Sequence, residues 1–238
     1  MDKKYIAIAI DGPAGAGKTT QAALLAKRLG YVYVDTGAMY RAFAVHKLWM
    51  ERELGRKVSI ETALNTFDFE VVWDEAGNQQ IMVCGQDVTE YLRAPEVSME
   101  ASSTSANSAV RAALLECQRK QSQAGNVIME GRDIGTVVLP DAQVKIYLDA
   151  DLSVRAARRL KELQGQGCDG NYKKLMEEMA ERDRQDMSRE NAPLKRADDA
   201  VLFDCTTMDI EETAQAIMTI LELDAENGSD TSRLSDRN

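Results

Sequence analysis

Gly12-Pro-Ala-Gly-Ala-Gly17-Lys18-Thr19 is the stretch on which the reading of this chain turns. It fits the pattern G-x-x-x-x-G-K-[ST]. In that pattern glycines let backbone N–H groups converge on phosphate oxygens, the lysine reaches the β- and γ-phosphates, and the threonine hydroxyl can hold Mg2+. The pattern means most between a strand and a helix, and both flanks comply. Upstream, Tyr5-Ile-Ala-Ile-Ala-Ile10 is wholly apolar, as suits a parallel strand buried on both faces. Downstream, Ala22, Leu25, Ala26 and Leu29 recur at helical spacing until Gly30 stops them.

The alternation continues outward. Tyr31 to Val34 reads as a second strand ending at Asp35, and Met39 to Glu53 returns to helical periodicity. Residues 67–92 break the rhythm, because Phe67 to Trp73, a turn at Asp74 to Asn78 and Gln80 to Cys84 together resemble an inserted antiparallel hairpin. Glu96 to Ser122 is helix-like. Core strands follow at Asn126–Met129, Val144–Leu148 and Asp199–Phe203, then a last helix over Ile210–Leu223. Five strands alternating with helices predict an α/β fold of three layers around a parallel sheet.

Composition narrows the chemistry. The chain has 238 residues, 29 Lys and Arg against 39 Asp and Glu, and a formal charge of −10. That balance speaks against nucleic acid as a partner. His46 is the single histidine, so a multi-histidine metal site is excluded and a Ser-His-Asp triad has one candidate base only. Cys84, Cys117, Cys168 and Cys205 never approach CxxC spacing, which rules out zinc ribbons and thioredoxin-like redox pairs and suits reduced thiols. The apolar run before Asp11 is too short for a signal peptide or membrane span, so a cytoplasmic protein without membrane partners is expected.

Arginines then point to a second substrate. They concentrate at Arg41, at Arg132 and between Arg155 and Arg189. Arg155, Arg158 and Arg159 share one face of a helix, a Gly-rich break spans Gly165 to Gly170, and Arg182 and Arg189 stand on a second helix beginning near Asn171. Such a helical hairpin resembles a lid, although a solvated, charge-laced helix pair accounts for the same run. A phosphomonoester acceptor needs charge neutralisation rather than a base, since its second pKa is about 6. A P-loop beside clustered arginines therefore favours phosphoryl transfer onto a phosphate over transfer onto an alcohol. A UMP-preferring or nucleoside kinase, and a nucleotide-binding switch, are the rival readings. The chain lacks the N-K-x-D guanine-reading tetrapeptide of the last.

Four ordered blocks, Asp11 to Thr19, Asp35-Thr-Gly-Ala-Met-Tyr-Arg41, Gly131-Arg-Asp-Ile-Gly-Thr-Val-Val138 and Arg182-Asp-Arg-Gln-Asp186 with Ser188-Arg189, resemble the bacterial cytidylate (CMP/dCMP) kinases over about residues 4–222. The resemblance implies transfer from MgATP to CMP or dCMP by a monomer. It implies a core of about 1–38, 123–150 and 190–223, an NMP-binding insertion of about 39–122 and a helical lid of about 151–189. Residues 224–238 would then be a disordered acidic tail. ATP is assigned to Gly12, Pro13, Ala14, Gly15, Ala16, Gly17, Lys18, Thr19 and Thr20, with Thr19 on the Mg2+. The acceptor phosphate is assigned to Arg41, Arg132 and Arg189, the ribose to Arg182 and Asp186, cytosine to Ser102, Arg111 and Asp133, and a further nucleotide contact to Thr36. Lys18, Arg132, Arg155, Arg158 and Arg159 are expected to be catalytic. A carboxylate at Asp133 can accept from the cytosine N4 amine, the donor that uracil lacks. Tyr40, Trp73, His46 and the methionines read as packing, and Cys205 stands where the family usually has a hydroxyl residue.

Overall fold

The computed structural model describes residues 5–75, 77–123, 125–165 and 170–234, the last twelve as backbone alone. The expected strand and helix around the Gly-rich turn are β1 (Ala7–Asp11) and α1 (Lys18–Leu29). Then come β2 (Val32–Asp35) and α2 (Thr36–Leu54), the latter starting where the Asp35 side chain accepts from the Ala38 N–H at 3.0 Å. Asp35 is thus an N-cap. The helix α3 (Ile60–Leu64) leads to a separate three-stranded antiparallel sheet, β3 (Phe69–Trp73), β4 (Gln79–Val83) and β5 (Gln86–Asp87), in that spatial order.

The predicted helix over 96–122 is two helices, α4 (Pro95–Thr104) and α5 (Ser108–Gln121). Asn107 divides them, because its side chain accepts from the N–H groups of Ala109 and Val110 and so starts a new helix. Then β6 (Val127–Gly131), a π-helical turn at Ile134–Val138 and β7 (Val144–Asp149) return the chain to the core. The two helices of the expected lid are α6 (Leu152–Gly165) and α7 (Tyr172–Ser188), followed by β8 (Val201–Asp204) and α8 (Ile210–Leu234). The backbone of α8 is helical past Leu223, beyond the point where the sequence suggests a disordered tail; residues 235–238 lie outside the described residues.

The five core strands run in the order β2-β6-β1-β7-β8, every neighbouring pair parallel. Successive side chains of a strand face opposite ways, and the core divides accordingly. Ile8, Ile10, Ile128, Ile146 and Leu148 meet Leu25 and Ile217 of α1 and α8 on one face. Ala9, Val34, Val127 and Met129 meet Met39, Phe43 and Leu114 of α2 and α5 on the other. Phe43 is fully buried and stands edge-on to Phe67 at 5.3 Å, joining the core to the insertion. Replacing Phe43 with Ala should cost about 3–5 kcal/mol of stability, measured by denaturant unfolding; a loss under about 1 kcal/mol would show that this contact does not hold the insertion.

Candidate active site

The site forms at the carboxyl ends of β1, β2 and β6, where a doubly wound sheet leaves a crevice. Gly12 has φ +148, and a Cβ there would lie 2.0 Å from the Leu148 carbonyl oxygen, so the chain can leave β1 this close to β7 only without a side chain. At Gly15, φ is +76 and a Cβ would meet Met179 Cε at 2.7 Å, which brings α7 of the lid directly onto the loop. Lys18 Nζ, buried, donates to the Pro13 carbonyl at 2.7 Å. Burial first, and then the positive charge of Arg132, pull its pKa down to about 7, against Glu130 and Asp11. Thr19 and Thr20 are exposed at the mouth of the loop.

Facing the loop are the groups assigned to the acceptor. Thr36 Oγ1 donates to the Glu130 carbonyl at 2.7 Å, and Arg41 Nη2 donates to Asp35 Oδ2 at 2.6 Å. Arg132 Nε donates to Asp186 Oδ2 at 2.9 Å, and Arg189 Nη1 lies 3.6 Å from Asp186 Oδ1. Arg182 is crowded by Arg132 and Arg41, and burial together with the Arg132 charge pulls its pKa down to about 10. Among the described residues, Arg41 Nε, Arg182 Nε and Arg189 Nη2 are buried donors with no hydrogen-bond partner, the last 3.8 Å from Asp133 Oδ1. Buried donors ordinarily find partners. The unmatched N–H groups of these three guanidiniums make a candidate socket for an anion.

Asp133 is buried beside that socket and takes an ion pair from Arg111 Nη2, with Arg189 Nη2 at 3.8 Å. Its partner is Arg111, not the adjacent Arg132, and it does not cap the following turn. Burial raises its pKa while Arg111, Arg189 and Arg132 oppose that rise. Arg111 lies over the Tyr40 ring at 5.6 Å and its Nη1 reaches the Ser105 carbonyl at 3.4 Å. Ser102 sits one step further away, its carbonyl accepting from Ser105 Oγ at 3.0 Å. Tyr40 and Trp73 pack against the core as expected from their patterns, and His46 is held by Thr66 Oγ1 at 3.0 Å.

The lid arginines grip the P-loop from outside. Arg155 Nη1 donates to Ala14 O at 3.0 Å and to Asp183 Oδ2 at 2.7 Å, while its Nε donates to Ala150 O at 2.8 Å. Arg158 Nη2 donates to Cys205 O at 2.8 Å, and its Nη1 stands 3.5 Å from Ala16 O. Arg159 instead pairs with Glu162 at 2.7 Å on the lid's outer surface.

Three functional candidates carry no role in the sequence reading, although Asp11 and Asp183 stand inside its blocks. Glu130, next to last in β6, is buried and accepts from Tyr33 OH at 2.8 Å, with Thr19 close by. Burial, then Asp35, pushes its pKa up. A charged residue ending an apolar strand ahead of Gly131-Arg132 is the signal that could have marked it. Asp183 is the lid's counter-charge to Arg155. Asp11, ending β1, accepts from the N–H groups of Ile134 at 2.8 Å and Gly135 at 2.7 Å.

Burial raises the Asp11 pKa from 3.8 to about 6 against those two N–H groups. The folded value exceeds the unfolded one, so this group's contribution to stability is full below about pH 4 and is lost as pH rises through 6. Replacing Asp11 with Asn should flatten that part of the stability curve. Denaturant unfolding at pH 4 and pH 7 checks it, and a wild-type-to-variant difference that is equal at both would show that Asp11 does not carry the proton.

Among known sequences, the profile of the family described as "Cytidylate kinase" matches residues 8–223. The cytidylate kinase of Bacillus velezensis is 45% identical over 222 residues, covering 93% of this chain and 98% of that protein. The cytidylate kinase of Caldicellulosiruptor saccharolyticus is 46% identical over 217 residues, covering 91% and 96%. Among solved structures, an uncharacterised protein from Eubacterium ventriosum has a TM-score of 0.52 at 14% identity, over 92% of this chain and 99% of that one, a likeness of fold alone. A profile spanning all but the ends, with relatives at this identity along nearly their whole length, leaves one assignment: the chain belongs to the cytidylate kinase family.

Proposed function

We propose that this protein transfers the γ-phosphoryl group of MgATP to the phosphate of CMP or dCMP, giving CDP or dCDP. The observation that carries the reading is the set of unmatched guanidinium N–H groups on Arg41, Arg182 and Arg189, next to a buried carboxylate and facing a P-loop. The P-loop takes the donor, the socket takes the acceptor's phosphate and, at Arg182, its ribose, and Asp133 with Arg111 takes the base.

The acceptor phosphate is already largely dianionic at neutral pH, its second pKa being about 6, so no side chain needs to remove a proton from it. Catalysis then reduces to alignment and charge. Lys18 and Arg132 stand between the loop and the socket and would stabilise the transferred group, whose charge spreads over its three outer oxygens. Arg155, Arg158 and Arg159 would join by exchanging their present partners for phosphate oxygens as the lid closes, which also excludes water and limits wasteful hydrolysis.

Magnesium fits this site. A magnesium ion of this kind is bound mainly through phosphates and water, with one or two protein oxygens. The Thr19 hydroxyl and, beside it, the Glu130 carboxylate are the oxygen ligands the chain offers. When bound, the ion would neutralise the β- and γ-phosphate oxygens. None of the described helices is long and apolar enough to cross a membrane. We infer a monomer acting in the cytoplasm on small nucleotides.

An ATP-consumption assay with CMP, dCMP, UMP, AMP, GMP and cytidine as acceptors should give CMP and dCMP the lead, with cytidine silent; activity on cytidine would overturn the reading. Lys18→Ala should lower kcat by about a hundredfold or more with the fold intact, and unchanged turnover would remove the P-loop from the mechanism. Asp133→Ala should erode the CMP-to-UMP ratio of kcat/KM by about tenfold or more. A constant ratio would mean that cytosine is read elsewhere.

A further inference from the structure

Gln79 is the first residue of β4 in the antiparallel insertion, yet its side chain works on the central sheet. Its Oε1 accepts from the backbone N–H of Asp35 at 2.8 Å, and its Nε2 donates to the carbonyl of the same residue at 3.2 Å. Asp35 is the last residue of β2, an edge strand whose single neighbour is β6. The N–H and C=O of one strand residue point to the same side, so both of these point away from β6. The amide of Gln79 thus stands where the backbone of a further strand would be, and satisfies one residue of an open edge.

That residue matters because of what its side chain does. Asp35 Oδ1 caps α2 through the Ala38 N–H, and Asp35 Oδ2 holds Arg41 Nη2 at 2.6 Å. The packing is tight: a Cβ on Gly37 would lie 3.0 Å from Asp35 Oδ1 and 3.1 Å from Arg41 Nη1. Arg41 has one ion-pair partner among the described residues, and its Nε is a buried donor without one. A turn of the Asp35 backbone would therefore swing the carboxylate and carry Arg41 out of the socket.

We propose that Gln79 is a positioning residue for the acceptor nucleotide, fixing Asp35 from the insertion side and through it the Arg41 guanidinium. This rests on the assignment of Arg41 to the acceptor phosphate. Both hydrogen bonds of Gln79 go to Asp35, so the effect is expected on the acceptor rather than on the donor.

Calorimetric titration with CMP and with ATP, alongside kinetics, tests it. Gln79→Leu removes both hydrogen bonds and should weaken CMP binding and raise its KM by about five- to thirtyfold, two hydrogen bonds' worth. ATP binding and kcat should stay within about twofold. Gln79→Glu keeps the shape and the acceptor but loses the donor, so it should shift CMP in the same direction and serves if the leucine variant does not fold. In an Arg41→Ala background the Gln79→Leu change should add nothing. Unchanged CMP binding, equal losses for CMP and ATP, or full additivity with Arg41→Ala would each overturn the proposal. An Arg41→Ala protein that binds CMP normally would instead overturn the Arg41 assignment, a different signature.

Discussion

The carboxylate of Asp11 joins the two halves of the site. Its oxygens receive the N–H groups of Ile134 and Gly135 within 2.8 Å, tying the strand that launches the P-loop to the turn that carries Arg132 and Asp133. In a parallel sheet β1 and β6 are neighbours, but strand pairing ends with Asp11 opposite Gly131 and says nothing about the residues beyond. The carboxylate extends the connection past the end of the ladder. The Gly-rich loop and the turn after β6 consequently share one fixed point, beside the contacts that the elements around them add: Arg155 with Ala14 O, Arg132 with Asp186 and Asp133 with Arg111. The arrangement leaves a charge buried at the centre of the crevice, and the pKa of about 6 records its cost.

Around that point an acidic protein assembles a cationic interior. With a net charge of −10 the chain has carboxylates to place against every arginine in the site, and it does so sparingly. Asp35 holds Arg41, Asp186 lies between Arg132 and Arg189, and Asp133 answers Arg111. Each partner lowers the cost of burying a guanidinium. Yet Arg41 and Arg189 still keep a buried N–H unmatched, and so does Arg182. A fully neutralised cluster would be a structural network. The leftover donors are what the proposed acceptor phosphate would match.

Much of this was legible in the residues, for identifiable reasons. The P-loop, the five strands and the lid helices announce themselves through local periodicity and turn chemistry, which a linear reading captures. Hairpin and core assignments held to within a few residues for the same reason. Contacts between distant segments were not legible: Asp133 pairs with Arg111 across 22 positions rather than with Arg132 beside it. Asp11 reads as the last letter of a strand, and its role appears only when residue 134 arrives beside it. The break at Asn107 was available, since an Asn ahead of a helical run is a cap signal, but the apolar periodicity on either side runs across it.

The lid arginines show most clearly how a pattern can be right about placement and silent about direction. Spacing put Arg155 and Arg158 on one face of α6, and that face does meet the P-loop. A loop whose N–H groups turn inward must turn carbonyls outward, and where another element covers them those carbonyls need donors too. Arg155 and Arg158 meet the carbonyls of Ala14 and Ala16 on this outer surface. A guanidinium so buried requires a counter-charge, which explains why α7 presents Asp183 to Arg155 at 2.7 Å. Gly15 suits this place because its φ of +76 is left-handed backbone, and a Cβ there would also displace the Met179 methyl of the same helix. The helices α6 and α7 and the Gly-rich loop are thus packed together, through Arg155, Arg158 and Met179.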